Sequence, residues 1–195
     1  MFLQGLWTKE LFHSDVYHLI AAFLIYSVIG WCVESIYMSF CNKRLTNRGF
    51  GRGPYCPIYG FGAVVGYIIL SPLKDRYIAL YLTGAVLATT FEFLVGLTMR
   101  RTTGEIWWDY NQKPFNYKGI ICLESTAAWG LYAIIVIQLL NDKVNGWIDR
   151  YNARTVIICC CLMIAVVAVD YGIQIYHMKH DDDYSERIAR KNGTV

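Results

Sequence analysis

The chain has 195 residues, a formal net charge of +3, 55% hydrophobic residues and only 17% charged ones, where soluble domains carry about 25% charged. So mild a charge does not point to a nucleic-acid binder, and no nucleic-acid partner is expected. The seven cysteines (Cys32, Cys41, Cys56, Cys122, Cys159, Cys160 and Cys161) make no C-x-x-C pair and no zinc spacing, which argues against a disulfide scaffold.

The apolar residues run in long blocks with the charges between them, a pattern that suits lipid as solvent. Residues 1–16 have no basic stretch ahead of an apolar core and do not read as a cleavable signal peptide. Phe2, Leu3, Leu6 and Trp7 would lay a short N-terminal segment on the membrane surface. A first block from Tyr17 to Phe40 reaches about 36 Å as a helix, enough to cross the hydrocarbon. Glu34 is its only formal charge, and the polar loop CNKRLTNRGFGRGPYC follows.

The second block, Pro57 to Ser71, reaches only about 22 Å. It holds Gly60, Gly62 and Gly66 between Pro54, Pro57 and Pro72, so it reads as a thin span or a re-entrant piece. The third block, Ile78 to Met99, carries Glu92. A loop rich in charge and aromatics (RRTTGEIWWDYNQKPFNYK) leads to the fourth block, Gly119 to Leu140, with Glu124. The fifth block, Thr155 to Tyr176, carries Asp170, and residues 177–195 form a short charged tail. The expected fold is all-α: an integral membrane helical bundle over residues 17–176 with about five transmembrane helices, the second short or re-entrant.

With five spans, the loops at 41–56 and 100–118 share a side with the tail. That side holds twelve Lys and Arg residues against six on the other. With the second block crossing, the positive-inside rule places the C-terminus in the cytoplasm and the N-terminus outside a plasma membrane; a re-entrant second block inverts the later spans and the count must then be redone.

Glu34, Glu92, Glu124 and Asp170 each lie five to seven residues from a block end. Because the helices alternate direction, all four fall toward the cytoplasmic side, roughly 8–10 Å deep. A carboxylate in a span costs on the order of 3 kcal/mol on insertion scales. Four at one level suggest a polar pocket, although any one of them is equally compatible with a structural hydrogen-bonding role. Like charges so placed call for protonation, an Arg partner or a cation. Arg44, Arg48 and Arg52 are the Arg candidates. A divalent cation such as Mg²⁺ on Glu34, Glu92 and Glu124 is the cofactor that oxygen ligands would suit.

Gly49, Gly51 and Gly53 allow tight turns whose N–H groups, with Arg48 and Arg52, suit a phosphate or lipid headgroup. A topology-fixing basic loop is the plainer alternative. In the second loop Trp107, Trp108 and Tyr110 suit the headgroup level, and Asp109 and Asn116 would lie beside the acidic pocket.

Several of these residues form a pattern. Gly30, Trp31 and Glu34 make a GWxxE motif, and NRGFxxGPxCPIYG runs from Asn47 to Gly60. Glu92, the WDY of Trp108–Tyr110, Asn116, Gly119 and Trp129–Gly130 follow. This resembles the Putative ABC-transporter type IV (CmpB-like) membrane family over roughly residues 20–135. On that resemblance Glu34, Asn47, Arg48, Pro54, Cys56, Tyr59, Glu92, Asp109, Tyr110 and Asn116 are family motif positions, and Glu124 and Asp170 are not. The resemblance implies a permease role. The chain has no Walker A sequence, so a separate ATPase subunit is implied, and so few spans call for a homodimer.

The residues alone leave two classes of function. In a transporter or ABC-type permease subunit, Glu34, Glu92 and Glu124 would bind a cation, a proton or a cationic substrate. In an integral-membrane enzyme at the cytoplasmic leaflet, metal-dependent or not, the carboxylates would act as general acid, base or metal ligands. Asn47, Arg48 and Asp109 would then position a phosphate-bearing lipid or nucleotide. A scaffold whose polar groups only hold helices together is a third.

Overall fold

A computed structural model describes residues 7–11, 14–49, 51–102, 104, 106 and 108–180. Phe50, Trp107, residues 1–6 of the N-terminal segment and most of the charged tail lie outside the described residues.

Five helices dominate. They are α1 (Val16–Asn42), α2 (Pro57–Leu70), α3 (Tyr77–Thr102), α4 (Leu123–Ile148) and α5 (Ala153–His180). A 3₁₀ turn, Ser71–Leu73, extends α2, and α4 widens to a π-helix over Ile135–Leu140 before closing over Asn141–Ile148. Two short antiparallel ladders complete the chain: β1 (Glu10–Leu11) with β2 (Ser14–Asp15), and β3 (Asn116–Tyr117) with β4 (Ile121–Cys122).

Helices α1, α3, α4 and α5 are each long and apolar enough to cross a membrane, and α2 is not. Fourteen residues of α2 cover about 21 Å, well short of about 30 Å of hydrocarbon. The spans carry large apolar side chains outward, among them Val33, Leu82, Val86, Leu94, Ile158 and Leu162. In water that surface would aggregate; in lipid it is the solvated face.

Among the described residues the chain forms two compact units, residues 7–64 with 144–180, and residues 65–143. In the first, α1 packs on α5. The start of α2 lies so close to α1 that a Cβ on Gly30 would fall inside the Tyr59 ring. Small residues permit this approach where lipid supplies no hydrophobic drive between helices. In the second unit α3 packs along α4, with Gly84 against Ala133 and the Thr89 hydroxyl donating to Thr126 Oγ1 at 3.0 Å.

Candidate functional site

Each unit is built around a carboxylate that the loop after its helix folds back to meet. Helix α1 stops at Lys43, whose left-handed backbone (φ 51°) caps it. The chain then returns along the last turns of α1. Thr46 N–H donates to Ser39 Oγ at 2.9 Å and Arg48 N–H to Ser35 Oγ at 3.1 Å. These two bonds bring the Arg48 guanidinium to Glu34, with Nε at 3.0 Å and Nη2 at 2.9 Å, both on Oε1. The Tyr59 hydroxyl donates to the other oxygen at 2.9 Å. Arg48 is 7% exposed, so the pair sits where removing one partner strands a charge at a cost of about 3–5 kcal/mol. Beside it, Trp31 Nε1 donates to Asn47 Oδ1 at 2.6 Å, and Asn47 Nδ2 donates to the Arg52 carbonyl at 3.2 Å.

The glycine-rich half of the loop closes on Asp170 from α5. One carboxylate oxygen accepts Arg52 N–H at 2.8 Å, Gly53 N–H at 3.3 Å and the Tyr55 hydroxyl. The other accepts from Gln174 at 3.3 Å. Gly51 is required here, since a Cβ would press on the Asp170 oxygen. Burial and the hydrogen bond to Asp170 push the Tyr55 phenol well above its ordinary range. Burial, then the nearby Glu34 charge, pushes the Cys56 thiol up to about 12, with Arg48 pulling the other way. Cys56 is therefore an inert thiol at neutral pH.

In the second unit, Glu92 is 6% exposed. It accepts from Trp129 Nε1 at 3.0 Å, the Tyr110 hydroxyl at 3.1 Å and the Ser125 hydroxyl at 3.3 Å. Ser125 also forms a capping box with Cys122, which starts α4. Gly96, one turn from Glu92, lets Ile120 and Trp108 close over α3.

The structure places the predicted residues as follows. Glu34 and Arg48 meet directly, as do Glu92 and Tyr110. Asn47 ties the first loop to Trp31. Asp109 is exposed and accepts Asn111 N–H at 2.8 Å, bracing a turn. Asn116 braces the same loop, donating to the Asn111 and Lys113 carbonyls and accepting Gly119 N–H.

Three expectations require correction. Glu124 lies in the first turn of α4 rather than five residues inside a helix. Residues 119–122 belong to the hairpin, α4 begins only at Leu123, and Glu124 sits exposed in its first turn, ion-paired to Lys113 at 2.9 Å. The loop N–H groups of Arg52 and Gly53 and the Arg48 guanidinium do not stand open for a phosphate, because Asp170 and Glu34 already occupy them. Among the described residues no three His, Cys, Asp or Glu side chains gather to hold a metal ion, so the Mg²⁺ expectation on Glu34, Glu92 and Glu124 finds no ligand set. Tyr55 and Ser125 complete the centres without having been singled out, while in the sequence Trp129 marks only a motif position and Asp170 only the fourth acid of the pocket. For Asp170 the available signal was its own position, a lone carboxylate inside the last apolar block.

Spans with lipid-facing apolar sides, together with polar centres closed by returning loops, define a multi-pass α-helical membrane protein. Residues 21–175 match one family over most of that bundle, and the chain belongs to it: Putative ABC-transporter type IV. No curated protein and no solved structure is similar enough to match the chain.

Proposed function

We propose that the chain is the membrane-embedded permease subunit of an ABC-type transporter of the plasma membrane, with Glu34 and Glu92 as its working polar groups. The observation that carries this reading is Glu92. Its carboxylate is buried in a span and held by three neutral donors, where a purely structural position would be served at less cost by an apolar side chain. ATP hydrolysis then belongs to a separate subunit, since the chain has no Walker A sequence, and a homodimer would supply the remaining spans of a pathway. The short α2, not long enough to cross, fits the interrupted segments found at transporter binding sites. With α2 not crossing, the loops at 41–56 and 100–118 lie on opposite sides of the membrane with nine Lys and Arg residues on each, so the charge count favours neither orientation. The enzyme reading is less well supported, because it needs Arg48 for a phosphate and Glu34 holds it.

The test is purification of the tagged chain from native membranes with mass spectrometry of the complex and nucleotide-hydrolysis assays. The proposal expects a Walker A-bearing chain in stoichiometric amount, with hydrolysis stimulated by the membrane subunit. A chain that purifies alone and leaves nucleotide hydrolysis unchanged would refute it.

A further inference from the structure

The loop between α3 and α4 does not extend away from the bundle but folds back along the last third of α3. Tyr110 reaches Glu92, Ile120 and Trp108 cover Gly96, and the Tyr117 ring lies 5.7 Å from that of Phe93. The α3 apolar stretch from Ile78 to Met99 covers about 33 Å, close to the hydrocarbon thickness. The boundary therefore falls near Arg100, and a hairpin lying beside Phe93–Gly96 reaches about 6–10 Å below it, with its Lys118 end held at Arg100. Its polar backbone is tolerated there because protein groups satisfy it. Two further bonds hold it in place: Arg100 Nη2 to the Lys118 carbonyl at 2.9 Å, and Lys113 to Glu124 at 2.9 Å.

At the tip stands Phe115. It is 83% exposed and has a left-handed backbone (φ 53°) that a bulky residue rarely adopts. Lys113 and Lys118 flank it in the chain, Arg100 bonds the Lys118 carbonyl, and Lys118 Nζ lies 5.3 Å from the Tyr117 ring. The acids among the described residues of the loop and the α4 first turn are Asp109 and Glu124.

We infer that the 113–118 tip is a lipid-binding wedge, with Phe115 entering the headgroup–acyl boundary and the surrounding cations selecting anionic lipid. Aromatic rings settle at that level, and a Lys or Arg near an anionic leaflet favours it about fivefold.

The experiment replaces Phe115 with the photo-crosslinking residue p-benzoylphenylalanine in the full chain, in nanodiscs of equal phosphatidylcholine and phosphatidylglycerol. Adducts at position 115 are read by mass spectrometry, with thermal melting as the folding control. The expected result is lipid adducts enriched severalfold for phosphatidylglycerol. Lys118→Gln should lower that enrichment about fivefold while leaving total lipid adduct unchanged. Equal labelling of both lipids, absence of lipid adduct in a folded variant, or a protein adduct in native membranes would each overturn the inference.

Discussion

The Glu34–Arg48 pair offers a stability prediction that its geometry sets in size. Arg48→Ala removes a buried guanidinium and, among the described residues, leaves Glu34 the Tyr59 hydroxyl as its donor. Stranding one member of a buried pair costs about 3–5 kcal/mol. The Glu34 side chain retains 22% exposure, so protein does not fully enclose the stranded charge, which favours the lower end, about 3 kcal/mol. For a chain of this length 1 kcal/mol shifts the midpoint by roughly 2–4 °C, so a drop of about 6–12 °C is expected in detergent, followed by tryptophan fluorescence. Lys in place of Arg should recover part of the loss through one ammonium contact, but not the paired Nε and Nη2 geometry. The decisive variant is the double substitution Glu34→Gln with Arg48→Met, which removes both charges. It should be more stable than Arg48→Met alone, with a coupling of about 2 kcal/mol across the cycle formed by Glu34→Gln, Arg48→Met and the double substitution. A midpoint for Arg48→Ala within a degree or two of wild type, or strictly additive single substitutions, would refute the buried-pair reasoning.

Other consequences are equally concrete. Cys56 titrates near 12, so its maleimide labelling in the folded protein at pH 8 should be about a thousandfold slower than that of an ordinary thiol, since only the thiolate reacts. Because the folded value lies above the unfolded one, the protonated thiol favours the fold. That contribution is intact below about pH 9 and fades as pH climbs toward 12; rapid labelling of the native protein at pH 8 would contradict it. Asp170→Asn should speed hydrogen exchange at the Arg52 and Gly53 amides by roughly ten- to a hundredfold as the charge-assisted bonds weaken, and unchanged rates would show that Asp170 does not hold the loop. Gly30→Ala drives a methyl into the Tyr59 ring and should destabilise by about 1–3 kcal/mol; a neutral melt would mean the helices are not so close.

The helical membrane class was legible because it needs only block length and hydropathy. Tyr17–Phe40 and Ile78–Met99 as apolar blocks differ from α1 and α3 by a turn or less at each end. The fourth start was misplaced because Gly119–Cys122 is as apolar as a helix turn. The strand there is set by backbone turns at Phe115, Lys118 and Gly119 and by a cysteine serving as N-cap, which no periodicity reveals. The motif residues were visible, but their partners were not. That Trp31 bonds Asn47 and Glu34 bonds Arg48 depends on the chain reversing after Lys43, and Asp170 reaches the first loop from 115 residues beyond Tyr55. Depth counting placed four acids at one level without seeing that each has its own donors.

The central claim is that the buried carboxylates work in a transporter rather than merely fasten helices. Its most direct test is nucleotide hydrolysis by the purified complex in vesicles, comparing wild type with Glu92→Gln, which keeps the side-chain shape. The account predicts that the variant assembles and melts within a few degrees of wild type while stimulated hydrolysis falls at least about tenfold, the loss expected when roughly 1.4 kcal/mol of coupling is removed. Full stimulation with the neutral side chain in place would contradict it.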